Sequence, residues 1–395
     1  MIRLFINGLA ASAGGGLTYL RNVIPQLSRR ADAHTTVILN PAIRREFTEM
    51  PNISFVESSE SSGAFRRFVH EQSGLPKLIR CSGAQVLISA GNFALWNSPV
   101  PQILLSRNSL YTSSDFLRDV RARGDYTIWA DTLVKGWLAR RSIARADMTV
   151  APSESFATEL SAWSHRKVLS LHHGFDPEVF TSDATPLPAA AQAQLAQATD
   201  AFRLLFVSHY NYYRNFETLF RALPILRERL NGKKLKLFLT CRLSSNENPG
   251  FYRAESASCL VNSLLGNEND SVVELGTVPY RSLHHLYRAC HIYVTPAYAE
   301  SFAHPLIEAM SSGLPVAASD LPVHREICGD AGVYFPRFSP EALAEQVLKV
   351  QESPQLAAKL SSNGLRRAHD FSWNKHVACL VDLAQKLVDS PGGQD

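Results

Sequence analysis

The chain has 395 residues, 45% of them hydrophobic, with six cysteines and a formal net charge of +4. That length exceeds what one hydrophobic core usually organises, so two domains are expected, and no run approaches the roughly 18 apolar residues of a membrane-spanning helix. Cys81, Cys241, Cys259, Cys290, Cys328 and Cys379 lie far apart with no Cys-x-x-Cys among them, which argues against a metal cluster or disulfide framework and for six small buried apolar residues. The adjacent pairs His172-His173 and His284-His285 cannot present both rings on one face of a helix or strand, so no metal site is expected from them.

In chain order, MIRLFINGLAASAGGG leads straight into a helical stripe of Leu17, Leu20, Val23, Ile24 and Leu27 rather than ending as a leader peptide, so the expected address is the cytoplasm. Gly14, Gly15 and Gly16 between strand and helix suit a tight turn whose backbone approaches a ligand. Short apolar runs follow at 35–39, 53–56, 85–89, 101–106, 148–153 and 167–171, alternating with helical patterns. Residues 116–147 mix Arg and Lys with Trp129, Trp137 and Leu138. One reading packs these apolar residues on the first domain with a solvated basic face. The other is a surface for anionic lipid at the inner face of the cytoplasmic membrane. No nucleic-acid-binding module surrounds the patch, so nucleic acid is not an expected partner.

Residues 184–200, rich in Ala, Gln and Pro, read as a linker with a peripheral helix. The strand rhythm restarts at 202–208, 234–240, 271–276, 291–296, 315–319 and 332–335. Strands alternating with helices imply crossover units and parallel sheets, giving two doubly wound α/β domains, at 1–183 and 201–372, facing across a cleft. A helix over 373–388 is expected to pack back on the first domain, with 389–395 as a tail.

The densest signal is PAYAESFAHPLIEAMSSGLPVAAS at 296–319. Glu300 follows a strand, and Glu308 lies inside a short helix closed by Gly313 and Pro315, with the amides of Ser301, Phe302 and Ala303 at the helix start, where phosphate is favoured. The stretch resembles the donor-binding signature of family 4 retaining glycosyltransferases of the GT-B fold. The resemblance implies that Glu308 accepts from the nucleotide ribose hydroxyls and Glu300 holds sugar hydroxyls. Upstream, Arg214-Asn215 falls on the family's Lys-Asn pair, while Ser208 and His209 stand where Gly and Arg are usual. Arg214 can grip phosphate through two charge-assisted hydrogen bonds, and with His209 in place of the usual Arg one full positive charge stands where the family has two. The loop at Val278 is expected to pass the nucleobase, and Gly15 and Gly16 to approach the donor phosphate or the acceptor. After PQILL, where family members often carry a His, this chain has Ser106, Arg107, Asn108 and Ser109; Arg107 and Asn108 are the candidates to meet sugar or acceptor.

The resemblance implies a retaining transfer of a hexose or deoxyhexose from a nucleotide sugar to a saccharide or lipid-linked saccharide in polysaccharide or glycoconjugate synthesis. No Asp-x-Asp motif occurs, and no metal or other cofactor is expected. The competing readings are a different GT-B enzyme, such as a nucleotide-sugar epimerase or a glycogen-type synthase, and a non-catalytic nucleotide-sugar-binding protein.

Overall fold

Aliphatic and β-branched runs favour strands, and runs without polar alternation must be covered on both faces. The computed structural model describes residues 1–11, 14–58, 63–230, 232–243 and 252–389, and in it those runs form two parallel sheets. The first contains β1 (Ile2–Asn7), β2 (Ala33–Ile38), β3 (Ile53–Val56), β4 (Val86–Ser89), β5 (Gln102–Leu105), β6 (Met148–Ala151) and β7 (Leu169–Ser170), in the order β3-β2-β1-β4-β5-β6-β7. The second contains β8 (Phe202–Phe206), β9 (Leu235–Leu239), β10 (Val272–Glu274), β11 (Ile292–Thr295), β12 (Val316–Ser319) and β13 (Gly332–Phe335), in the order β10-β9-β8-β11-β12-β13. Each begins mid-sheet and winds outward both ways. The order therefore reverses between β1 and β4, with Leu4 beside Val86, and between β8 and β11, with Leu204 beside Ile292.

The chain divides into two compact units that are not simple halves. The first holds residues 1–112, 130–174 and 372–395, and the second 113–129 and 175–371. The first unit thus gives way to the second at Gly174, not at 183. Residues 184–200 contain the expected helix, at Ala189–Ala196, and Leu187, Ala191 and Ala198 are buried in the core of the second unit with Phe175 and Phe180. Tail residues 390–395 lie outside the described residues. Three of the cysteines expected to be buried, Cys81, Cys259 and Cys379, are exposed, while Cys241, Cys290 and Cys328 are buried.

In the first unit the helix Gly14–Ser28 lays Leu17, Leu20, Val23, Ile24 and Leu27 onto the sheet. Its three glycines form the first helical turn rather than a turn ahead of it. The helix Trp373–Asp389 completes the same core with Trp373, Val377, Leu380, Val381 and Ala384. Its entry is tight. A Cβ on Gly174 would stand 2.1 Å from the backbone nitrogen of Trp373, closer than any van der Waals contact permits, so only glycine lets these two backbones meet.

Gly174→Ala should therefore lower the melting temperature, costing about 3 kcal/mol through displacement of the Trp373–Asp389 helix. Thermal unfolding followed by circular dichroism checks this, and an unchanged transition contradicts the close approach.

Candidate functional site

In open parallel sheets, the strand-order reversal leaves a crevice at the carboxyl ends, because adjacent crossovers depart to opposite faces. In the second unit that place is β8 beside β11, and the loops leaving these strands bring Arg214 and Glu300 together. After β8 the chain turns through a 3-10 segment, Tyr212–Arg214, into Asn215 at φ 56°. The Asn215 side chain is committed to backbone: Nδ2 donates to the carbonyls of Pro296 (3.0 Å) and Arg337 (2.6 Å), and Oδ1 accepts from Thr218 Oγ1 (2.9 Å). The amide of Tyr298 donates to the carbonyl of Tyr213 (2.9 Å). These bonds tie the two loops edge to edge.

Arg214 Nη1 donates to Glu300 Oε2, with the side chains only 21% and 11% exposed. Glu300 Oε1 also accepts from the Ser301 amide (3.1 Å). Burial opposes ionisation of Glu300, yet the Arg214 charge, with His324 and the Ser301 amide, holds its carboxyl below the ordinary range. Arg214 is raised in turn: burial works against its charge, and Glu300 together with Tyr213 and Tyr293 more than offsets it. Nε of Arg214 is buried with no partner among the described residues, so one donor of the fork remains unspent. His324, buried after β12, uses Nδ1 toward the Ser319 carbonyl (2.9 Å). It was not singled out in the sequence, where a lone His on a helix carries no signal.

Glu308 lies on the helix His304–Ser311 and is 6% exposed. Its Oε2 accepts from the Tyr287 hydroxyl (2.9 Å). Burial pushes its carboxyl up to about 7, the Tyr287 bond pulling the other way. Tyr293 on β11 lies within electrostatic reach of Arg214, which favours its ionisation, and of Glu308 and Glu300, which oppose it. Tyr287, which the sequence reading passed over, is the partner that keeps Glu308 hydrogen-bonded. Phe302 and Ala303 are buried, and Ala303 takes φ 64° just before the helix. Ser301 and Phe302 therefore precede the helix rather than opening it. Ser208 spends its amide on Thr240 Oγ1 (3.0 Å) and its hydroxyl on the His209 carbonyl (2.7 Å), and the His209 ring is exposed. Val278 is half-buried against the core of the same unit.

Arg107 and Asn108 belong to the first unit, after β5. The Arg107 amide donates to Asn92 Oδ1 (2.6 Å), Nη2 donates to the Ala90 carbonyl, and the guanidinium carbon lies 4.6 Å from the Tyr19 ring centre. Burial lowers its pKa, and Nη1 has no partner among the described residues. A Cβ on Gly16 would come 3.8 Å from Arg107 Nη2, whereas one on Gly15 would meet nothing within 4 Å. Arg107 therefore faces the first turn of the Gly14–Ser28 helix. Asn108 Oδ1 accepts from the Leu110 amide (3.0 Å) and so caps the following turn. Beside Tyr19, His376 Nδ1 stands 2.7 Å from the His172 carbonyl, an acceptor, so Nδ1 carries the hydrogen and Nε2 accepts from the Tyr19 hydroxyl at 2.9 Å. Among the described residues, no group of three or more His, Cys, Asp or Glu is placed to hold a metal ion.

The sucrose-phosphate synthase of Thermosynechococcus elongatus superposes on this chain with a TM-score of 0.78 at 18% identity, covering 98% of this chain and all of that one. The fold is GT-B. Within it, residues 189–367 match the family model described as glycosyl transferases group 1, a span that contains Arg214, Glu300 and Glu308. The chain is 34% identical to the O-antigen chain mannosyltransferase B of Escherichia coli over 114 residues, 29% of this chain and 30% of that protein. It is 28% identical to the D-inositol 3-phosphate glycosyltransferase of Thermobispora bispora over 250 residues, 62% of this chain and 57% of that protein. The matches thus span about a third to somewhat over half of these relatives' lengths.

Glu308 makes the stability of this GT-B chain depend on pH. An unfolded glutamate titrates near 4.5, whereas the folded carboxyl holds its proton to about 7. Between those values the folded state binds the extra proton, so the contribution of Glu308 becomes less favourable as pH rises and is fully adverse above 7. Glu308→Gln keeps an acceptor for Tyr287 without the charge. It should stabilise by about 1–3 kcal/mol at pH 8 and by little at pH 4. Denaturant unfolding at the two pH values checks the difference, and an equal effect at both would sink it.

Proposed function

We propose that the chain is a retaining glycosyltransferase of the family 4 type, moving a hexose or deoxyhexose from a nucleotide sugar to a saccharide or lipid-linked saccharide acceptor during polysaccharide or glycoconjugate synthesis. The observation that carries this reading is the buried Arg214–Glu300 pair at the β8/β11 reversal, inside the span matched by the glycosyl transferases group 1 model. A nucleotide sugar breaks its C1–O bond to phosphate through a transition state that is positive at C1 and increasingly negative on the phosphate. Arg214, whose buried Nε is unspent, stabilises that phosphate charge. Its effect is large because few waters compete there. Glu300, ionised at neutral pH, accepts from sugar hydroxyls, and Glu308 accepts from the ribose diol. The Ala303 amide at the start of the helix His304–Ser311 supplies a further donor to phosphate oxygens, and the first-turn backbone at Gly15 and Gly16 approaches the donor phosphate or the acceptor. Ser208, His209 and Val278 border the nucleotide, while Asn215 shapes the loop that carries Arg214.

On this reading the acceptor oxygen bonds to C1 on the face the phosphate leaves, and its proton passes to the departing phosphate oxygen, so no glutamate attacks. Arg107 and Asn108 meet the acceptor or transferred sugar. The protein works in the cytoplasm without a metal. Release of nucleoside diphosphate from a panel of donors tests the reading directly, and a chain that binds nucleotide sugars yet turns over none is the non-catalytic alternative. Arg214→Ala should lower kcat about a hundredfold or more, with a smaller change in KM. Glu308→Ala should weaken nucleotide affinity by about 1–3 kcal/mol. Unchanged nucleotide affinity by calorimetry in both variants overturns the assignment, and loss of turnover in EDTA with rescue by magnesium overturns metal independence.

Membrane contact has its own observation. The helix Tyr126–Arg145 packs inward through Thr132, Gly136, Ala139, Ser142 and Ile143. Leu133, Val134 and Trp137 are instead 41%, 59% and 59% exposed. Arg140, Arg141 and Arg145 stand on the same helix. An apolar wedge with cations beside it suits an anionic bilayer surface, each cation contributing about 1 kcal/mol. No described helix is long and apolar enough to cross a membrane. Flotation should recover the protein with anionic vesicles at low salt, and Trp137→Ala with Val134→Ala should abolish that recovery. Absence of the wild type from the anionic fraction removes direct lipid attachment.

A further inference from the structure

Residues 113–129 lie in the first half of the sequence but belong to the second unit, and the contacts they make there are unusually specific. Ser113 caps the helix Ser114–Ala122 through Oγ to the Phe116 amide (3.1 Å). The buried residues of that helix are Phe116 and Val120, and the Phe116 ring sits edge-on to Tyr213 at 6.3 Å. Around this apolar footing run charged anchors. Asp115 accepts from Arg337 through Nε (2.9 Å) and Nη2 (2.5 Å). Asp119 accepts from the Tyr298 hydroxyl (2.7 Å) and from Arg123 Nε (2.8 Å). Arg123 reaches Glu217 (2.9 Å) with its guanidinium carbon 4.1 Å from the Tyr212 ring centre. Asp125 accepts from the Tyr212 hydroxyl (2.6 Å) and from Arg253 Nη2.

The partners are not scattered. Tyr212 and Tyr213 immediately precede Arg214, Tyr298 stands two residues before Glu300, and the Arg337 carbonyl receives Asn215 Nδ2. Every anchor except Glu217 and Arg253 falls on one of the two loops that meet at the Arg214–Glu300 pair or on the residue bracing them. A helix that needed only to stay attached would require Phe116 and Val120 and little else. Placing three carboxylates against tyrosine hydroxyls and guanidinium groups costs desolvation and gives directional bonds instead.

We infer that the 113–129 segment is a positioning strap: Asp119 and Asp125, through Tyr298 and Tyr212, fix the backbone that carries Glu300 and Arg214. The strap touches neither phosphate nor sugar. It acts by holding the guanidinium and the carboxylate where they meet the donor, since a displacement of about an ångström at such groups can cost about a hundredfold in rate. This inference rests on the donor-site reading proposed above.

Tyr298→Phe removes one hydroxyl and leaves the ring packed, and Asp119→Ala removes its acceptor. Asp119→Asn keeps an oxygen for Tyr298 and serves as the conservative rescue. In the full chain, hydrogen exchange at amides 211–215 and 297–301 should quicken in the first two variants while β8 and β11 stay protected. With a donor that the wild type turns over, kcat should fall about ten- to a hundredfold with KM little changed, the melting temperature should stay well above the assay temperature, and Asp119→Asn should recover most of the loss. Unaltered exchange at both loops overturns the strap. Quickened exchange with unaltered kcat overturns its positioning of the reaction. If the wild type releases nucleoside diphosphate from no donor, the proposed function fails, and exchange alone then decides for or against the strap.

Discussion

A parallel sheet has to be covered on both faces, and each return to the same edge demands a crossover. That constraint shapes both units. Strands such as β4, β5, β11 and β12 are buried at every position, so they carry no side chain free for chemistry and export it to the loops at their carboxyl ends. Because each sheet starts in its middle, two of those loops leave the adjacent strands β8 and β11, and Arg214 and Glu300 meet there. The location of the Arg214–Glu300 pair follows from strand order before any property of arginine or glutamate is considered.

Electrostatics then separates the buried charges by their company. Glu300 and Glu308 sit eight residues apart on adjoining pieces of backbone, yet one is held below the ordinary carboxylate range and the other raised to about 7. Burial acts on both. What differs is the partner, a guanidinium for Glu300 and a neutral phenol for Glu308. Only a full countercharge outweighs desolvation. Arg107 in the first unit meets the Ala90 carbonyl and the face of Tyr19 but no carboxylate among the described residues, and burial lowers its pKa.

The strands were readable because runs such as IRLFI, KLKLFLT and HIYVTP are short, apolar and bounded by turn residues. The 296–319 motif was readable because its Gly, Pro and Glu positions fix a strand, a turn and a helix together. Partnership was not. That Arg214 and Glu300 bond to each other, or that Tyr287 serves Glu308, depends on sheet order, which no local window contains. The glycines at 14–16 suggest a turn because glycine permits one, whereas the helix starts at Gly14 itself. The allocation of 113–129 to the second unit was invisible for a further reason. Its Asp and Arg residues have the composition of a solvated helix, and only their partners at 212, 217, 253, 298 and 337 reveal what they are for.

The chain passes from one unit to the other at 112, 129, 174 and 371, and this has a consequence for synthesis on the ribosome. The first unit begins at β1, but its core lacks Trp373, Val377, Leu380, Val381 and Ala384 until that distant segment has been translated. The second unit needs nothing beyond residue 371. The unit translated first is therefore the last to close. Until then, the surfaces of the Gly14–Ser28 helix and its sheet that await the Trp373–Asp389 helix stand open, apolar and available to a chaperone.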